Sequence, residues 1–267
     1  MHLDTVTPRS RKWTDRVAVA VPRSGASSMG WNLGTGGPLV AAWRVGGGVR
    51  VAEVGVTSTR GVVPLRVPSG DATGRLSVAV GVGGARAVAW STVRGGMGSS
   101  VRLPEDISWR PARRVGRDAG ASAPRIAVGC DGGVVGAWTQ PGTTAGTTTI
   151  KESTAQGTHG LPTDPREVTS YGDATKTLSV WGVSVVGRSG LAMVGWQRAQ
   201  NGGAGEGAQL QGDRTQYAVR GFGFDGNFRA GPPAAFADDG TGLFVAATTT
   251  GVLSQQFTPG DDVLSCR

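Results

Sequence analysis

Four carboxylates, Asp15, Glu53, Glu152 and Asp225, stand outside the internal symmetry of this chain. Two acids facing one bond could serve as general acid and base, or as acid and nucleophile, in glycoside hydrolysis. No motif surrounds these four, so no catalytic residue is assigned. Asp71, Asp118, Asp131, Asp173 and Asp239 recur in or beside Gly-rich turns. An Asp side chain accepts bonds from nearby backbone amides there, so these acids read as turn formers. The chain has two histidines, His2 and His159, and neither has the partners of a triad or of a metal site. The expectation is a protein that is not an enzyme and uses no metal or cofactor.

Aromatic and basic residues carry the binding signals. Trp31, Trp181 and Trp109 are not repeated in every unit of the chain and are the candidate ligand-binding residues. An indole face stacks on a sugar face or anchors a protein partner, although Trp109 also fits a structural Trp-x-Pro element. Lys and Arg number 27 against 19 acids, giving a net charge of +8. Arg9, Arg11 and Lys12 form a basic N-terminal arm with Arg16, while Arg110, Arg113, Arg114 and Arg117 crowd the last strand of one unit. Both groups are candidate docking sites for an acidic polymer or protein, attracted by a salt-sensitive field. The aromatic and basic interleaving of a nucleic-acid module is missing, which ranks nucleic acid behind those partners. Gly-Thr-Gly-Gly (34–37) and Gly-Val-Gly-Gly (81–84) lack the lysine and helix of a phosphate loop and read as hairpin turns.

The elements that must position these residues follow from a five-fold repeat. Gly-Thr-Gly-Gly-Pro-Leu-Val-Ala-Ala-Trp (34–43), Gly-Val-Gly-Gly-Ala-Arg-Ala-Val-Ala-Trp (81–90), Cys-Asp-Gly-Gly-Val-Val-Gly-Ala-Trp (130–138), Gly-Arg-Ser-Gly-Leu-Ala-Met-Val-Gly-Trp (187–196) and Asp-Asp-Gly-Thr-Gly-Leu-Phe-Val-Ala-Ala-Thr (238–248) share one template. A glycine turn enters an apolar strand that ends in a small residue and Trp. The anchors Trp43, Trp90, Trp138, Trp196 and Thr248 are 47, 48, 58 and 52 residues apart. A large ring recurring at one position is expected to pack between neighbouring units.

Glycine at 46 residues and a hydrophobic share of 38% suit an all-β chain rich in turns. Runs such as Arg-Val-Ala-Val-Ala-Val (16–21) and Arg-Leu-Ser-Val-Ala-Val (75–80) alternate with the strand period, and no long helical period is present. Four antiparallel strands in about 45–50 residues make a propeller blade. The expected fold is a single β-propeller of five such blades over residues 13–258, between an arm (1–12) and a tail (259–267). The last unit, from Pro233, has material for three strands, so the strand around Trp13–Val21 is expected to complete it and close the ring. Gln140–Thr149, Gly157–Pro165 and Gln200–Gly212 read as long loops suited to binding.

The run Trp109-x-Pro111, Gly116, Pro124, Cys130-Asp-Gly-Gly133 and Ala137-Trp138 resembles the Trp-containing β-propeller repeats of high-GC actinobacterial proteins. In repeat number and length the chain is also similar to the tachylectin-type five-bladed lectins. That resemblance implies binding of an amino sugar between blades, although no lectin motif carries over residue by residue. No apolar stretch is long enough to span a membrane, and Met1–Asp15 lacks the apolar core of a signal peptide. A cytoplasmic or virion-associated protein is therefore expected, with Cys130 and Cys266 as free thiols. Two functions follow: a non-catalytic recognition module for a cell-envelope glycan or protein partner, or a structural subunit of a larger assembly such as a phage tail or capsid.

Overall fold

A computed structural model of the chain describes residues 2–6, 13–18, 26–33, 39–54, 59–65, 71–81, 84–116, 122–129, 133–155, 164–172, 177–186, 191–199, 204–210, 218–222, 228–230, 234–236, 242–248 and 252–257. Every element among them is a β-strand, and every pairing is antiparallel. β1 (His2–Val6) and β2 (Trp13–Ala18) form a hairpin. The first four-stranded sheet is β3 (Ala26–Leu33), β4 (Leu39–Val45), β5 (Gly48–Val54) and β6 (Thr59–Pro64). The second is β7 (Ala72–Val80), β8 (Arg86–Thr92), β9 (Met97–Arg102) and β10 (Arg113–Val115). β11 (Ser122–Val128), β12 (Val134–Pro141), β13 (Thr148–Ala155) and β14 (Arg166–Tyr171) make the third. The fourth is β15 (Thr177–Val186), β16 (Leu191–Ala199), β17 (Ala204–Leu210) and β18 (Ala218–Phe222). The fifth combines β19 (Phe228–Ala230), β20 (Ala234–Phe236), β21 (Gly242–Thr248) and β22 (Val252–Phe257).

The first strands β3, β7, β11 and β15, followed by β20, touch one another in sequence order, which gives a propeller-like arrangement of sheets. Their approach is close. A β-carbon on Gly81 would stand 2.9 Å from the carbonyl oxygen of Val128 and 2.8 Å from that of Gly129, so the contact needs glycine. Cores form at the seams between sheets. Val40, Ala42, Val49 and Val51 of the first sheet meet Leu76, Val78, Val88 and Trp90 of the second. Met97 and Val101 of the second meet Val134 and Trp138 of the third. Ala137 and Ile150 of the third meet Val194 and Trp196 of the fourth. Trp90, Trp138 and Trp196 thus each pack toward the preceding sheet, and these three and Trp43 are fully buried.

Two sequence expectations are corrected. Trp13–Ala18 pairs with His2–Val6, so the expected arm contains a strand and the expected closing strand has a local partner. Closing a hairpin across a short connection costs far less chain entropy than pairing with the far end of the chain. From Pro233 onward the described residues hold three strands as expected, β20, β21 and β22, and the preceding β19 adds a short pairing with β21. The sequence between β19 and β20 is Gly231-Pro232-Pro233, and proline cannot donate to a ladder. Gln140–Thr149 holds the expected loop over 142–147 between the ends of β12 and β13, whereas β17 lies inside Gln200–Gly212. The β-branched threonines before Ile150 extend the ladder, and Gln140 is fixed because its Oε1 accepts a bond from Trp138 Nε1 at 2.9 Å.

Candidate functional site

An opening of about 100 Å³ lies on the seam between the first two sheets. Val51 and Glu53 of β5 and Val63 of β6 form one side; Arg102 of β9 and the following segment Ile107, Ser108 and Trp109 form the other. Strand alternation sends Val51 and Glu53 to the same face. The floor is charged. Arg102 Nη1 donates to both Glu53 carboxylate oxygens at 2.6 Å, and Arg86 Nε lies 3.5 Å from Oε2. Glu53 and Arg102 are each only 5% exposed, so their charges need one another.

The segment between β9 and β10 is built rigidly. Leu103-Pro104-Glu105-Asp106 is a tight turn, with Asp106 N donating to Leu103 O at 3.1 Å and proline at its favoured second position. Asp106 Oδ2 accepts from Leu103 N at 2.9 Å and from Arg110 Nε at 2.7 Å, while Oδ1 accepts from Arg110 Nη2 at 3.1 Å. The Arg110 hydrogen bond holds the Asp106 carboxyl below the usual carboxylate range. Arg102 Nε donates to Asp106 O, and Ser100 Oγ donates to Arg110 O. This bracket presents Ile107 at 94% exposure and sets half-buried Trp109 against the seam core.

The other residues singled out from the sequence fall elsewhere. Trp31 lies on β3 opposite Ala41, and Trp181 at the register shift between Val180 and Gly182 on β15. Arg110 is bound to Asp106 and Arg114 to buried Asp71, whereas Arg113 is exposed. Arg9, Arg11, Lys12, Arg117, His159, Cys130 and Cys266 lie outside the described residues. Glu152, also outside the repeat symmetry, is fully buried and ion-paired with Arg166 at 2.7 Å. Among the described residues no three His, Cys, Asp or Glu side chains are placed to hold a metal ion, and no helix is long and apolar enough to cross a membrane. Sequence reasoning missed Arg86 and Arg102. Their one signal was that neither recurs at its position in the other units.

No protein-family model and no curated protein matches this chain. Solved structures do. An α-L-arabinanase from Penicillium chrysogenum, complexed with arabinobiose, is 11% identical; the match covers 87% of this chain and 78% of that one, with a TM-score of 0.57. AofleA from Arthrobotrys oligospora, with three arginines changed to alanine, is 10% identical over 93% of this chain and 74% of that one, with a TM-score of 0.52. Aleuria aurantia lectin is 11% identical over 90% and 82%, with a TM-score of 0.49. At these identities the likeness is one of fold. It nevertheless corrects the expectation of a protein that is not an enzyme, because a glycoside hydrolase shares the architecture.

Proposed function

We propose that this chain binds a glycan, with the cleft between the first and second sheets as its site. The observation that carries the reading is Trp109 beside the Glu53 and Arg102 ion pair in one opening. A sugar has apolar C–H faces and a rim of hydroxyls. An indole covers the first and a fixed donor and acceptor pair meets the second. An opening of about 100 Å³ takes the edge of one ring with a substituent. The arabinanase complexed with arabinobiose supports the reading, since a protein of the same fold holds a sugar. Trp31 and Trp181 remain candidate further platforms within this proposal, and Arg113 a candidate docking cation. The same proposal takes the five sheets as blades of one closed ring of the Trp-repeat type.

The test is titration of the purified chain and of Trp109→Ala with a panel of mono- and oligosaccharides by calorimetry. Circular dichroism confirms that the variant folds, and chromatography of the sugars reveals any cleavage. Saturable binding that weakens about tenfold or more in the variant is expected from the loss of one aromatic stack. Binding to no sugar overturns the proposal and turns attention to a structural subunit of a larger assembly such as a phage virion, whose partners would be found by co-purification.

A further inference from the structure

We infer that the cleft prefers a sugar whose exocyclic carbon is a methyl group, a 6-deoxyhexose, over the hexose bearing a hydroxymethyl group there; this rests on the glycan reading above. Val51 and Val63 are direct cross-strand partners on β5 and β6. Residues so paired stand on one face, so the two valines make a single aliphatic ledge on the bank of the first sheet. Ile107 and Trp109 supply the apolar surface of the opposite bank. Among the described residues Val63 and Ile107 are two of four large hydrophobic side chains that stay exposed, at 43% and 94%, and both line this one opening. Apolar side chains held in water on both banks of a cleft gain by being covered.

Ile107 is also held in place. It follows Asp106, whose carboxylate accepts from Leu103 N and Arg110 Nε, and the far end of the segment is pinned by Arg110 N donating to Val101 O at 3.0 Å. A side chain on a backbone already ordered loses little conformational freedom when a ligand arrives. The polar lining is disposed differently. Glu53 and Arg102 are buried and bonded to one another, so they meet ring hydroxyls at the floor. With the C–H face of a ring on Trp109 and its hydroxyls at the floor, the exocyclic carbon is left to the aliphatic mouth between Val63 and Ile107. A methyl group there removes apolar surface from water on both partners. A hydroxymethyl group must keep its hydroxyl in water or give up hydration against an aliphatic wall.

The experiment titrates pairs of methyl glycosides that differ by one oxygen: quinovoside against glucoside, L-fucoside against L-galactoside, and L-rhamnoside against L-mannoside. The wild-type chain is expected to bind the deoxy member of at least one pair about fivefold or more tightly than its partner, from one covered methyl group together with the hydration a hydroxyl would lose. Ile107→Ser and Val63→Thr, both at exposed positions, should each shrink that margin to about twofold or less, the loss of about one aliphatic contact. Trp109→Ala should weaken both members together. Equal affinity in every pair that binds, or preference for the hydroxymethyl member, overturns the inference and leaves the glycan reading in place. A margin that survives both aliphatic substitutions overturns it too, since the methyl group would then lie elsewhere. Failure of every sugar to bind removes the reading and the inference together. The wild-type comparison decides the matter even where a variant fails to fold.

Discussion

Glu53 and Arg102, 49 residues apart in the chain, meet across the seam of two sheets with both carboxylate oxygens 2.6 Å from Nη1. Each residue comes from a different repeat, so the contact forms only when the sheets are docked. It is at once the floor of the cleft and a tie between its walls.

Removing one partner of a buried pair leaves the other charge unmatched. Glu53→Ala, which abandons both Arg86 and Arg102, is expected to cost about 3–5 kcal/mol of stability. Denaturant unfolding of the variant and the wild-type chain measures this, and an unchanged midpoint would refute it.

Gly98 is the register partner of Trp90, and a β-carbon there would overlap the nitrogen side of the indole. Neither the buried ring nor the strand has room to yield. Gly98→Ala is expected to destabilise by about 1–3 kcal/mol, the usual cost of overpacking. A lowered thermal midpoint with unchanged far-ultraviolet circular dichroism is the result to look for.

Trp196 Nε1 donates to the Tyr171 hydroxyl at 3.0 Å, joining the fourth sheet to the third. Tyr171→Phe keeps the ring and strands a buried donor. A loss of about 1–2 kcal/mol is expected, whereas Trp196→Phe placed on top of it should cost far less than the two changes summed. Additive losses in that double-mutant cycle would count against the bond.

The Asp106 carboxyl is held low, chiefly by the Arg110 hydrogen bond. Stability from a depressed carboxylate is present above its unfolded value of about 4 and disappears as pH falls through the folded one. The segment carrying Trp109 should therefore loosen only below about pH 4, and Asp106→Asn should remove that transition. Fluorine NMR of fluorotryptophan-labelled protein, with Trp109 assigned by substitution, follows it; a transition retained in Asp106→Asn would exclude this carboxyl as its source.

What the sequence disclosed depended on distance along the chain. The glycine turn, apolar strand and Trp announced the sheets, because those signals lie within one hairpin. Local chemistry also marked Trp109 beside Pro111. The cleft itself was hidden, since it joins Glu53 to Arg102 and Arg86 through docking of separate sheets, and no spacing rule encodes that docking. Gln200–Gly212 misled for a related reason: a run rich in Gly and Gln suggests a loop until Ala204–Leu210 is found paired with strands on both sides. Trp13–Ala18 misled because its alternating pattern specifies a strand without specifying which partner it takes.

The walls of the cleft come from different sheets, and this gives any occupant a mechanical role. Neighbouring sheets are joined covalently by a single pass of chain and otherwise by contact across the seam. A molecule gripped by Val63 and Glu53 on one bank and by Trp109 and Arg102 on the other is a rivet through that joint. It would raise the force needed to peel the first sheet from the second while leaving the other seams as they were, so a pulling experiment would register occupancy as a change at one joint alone.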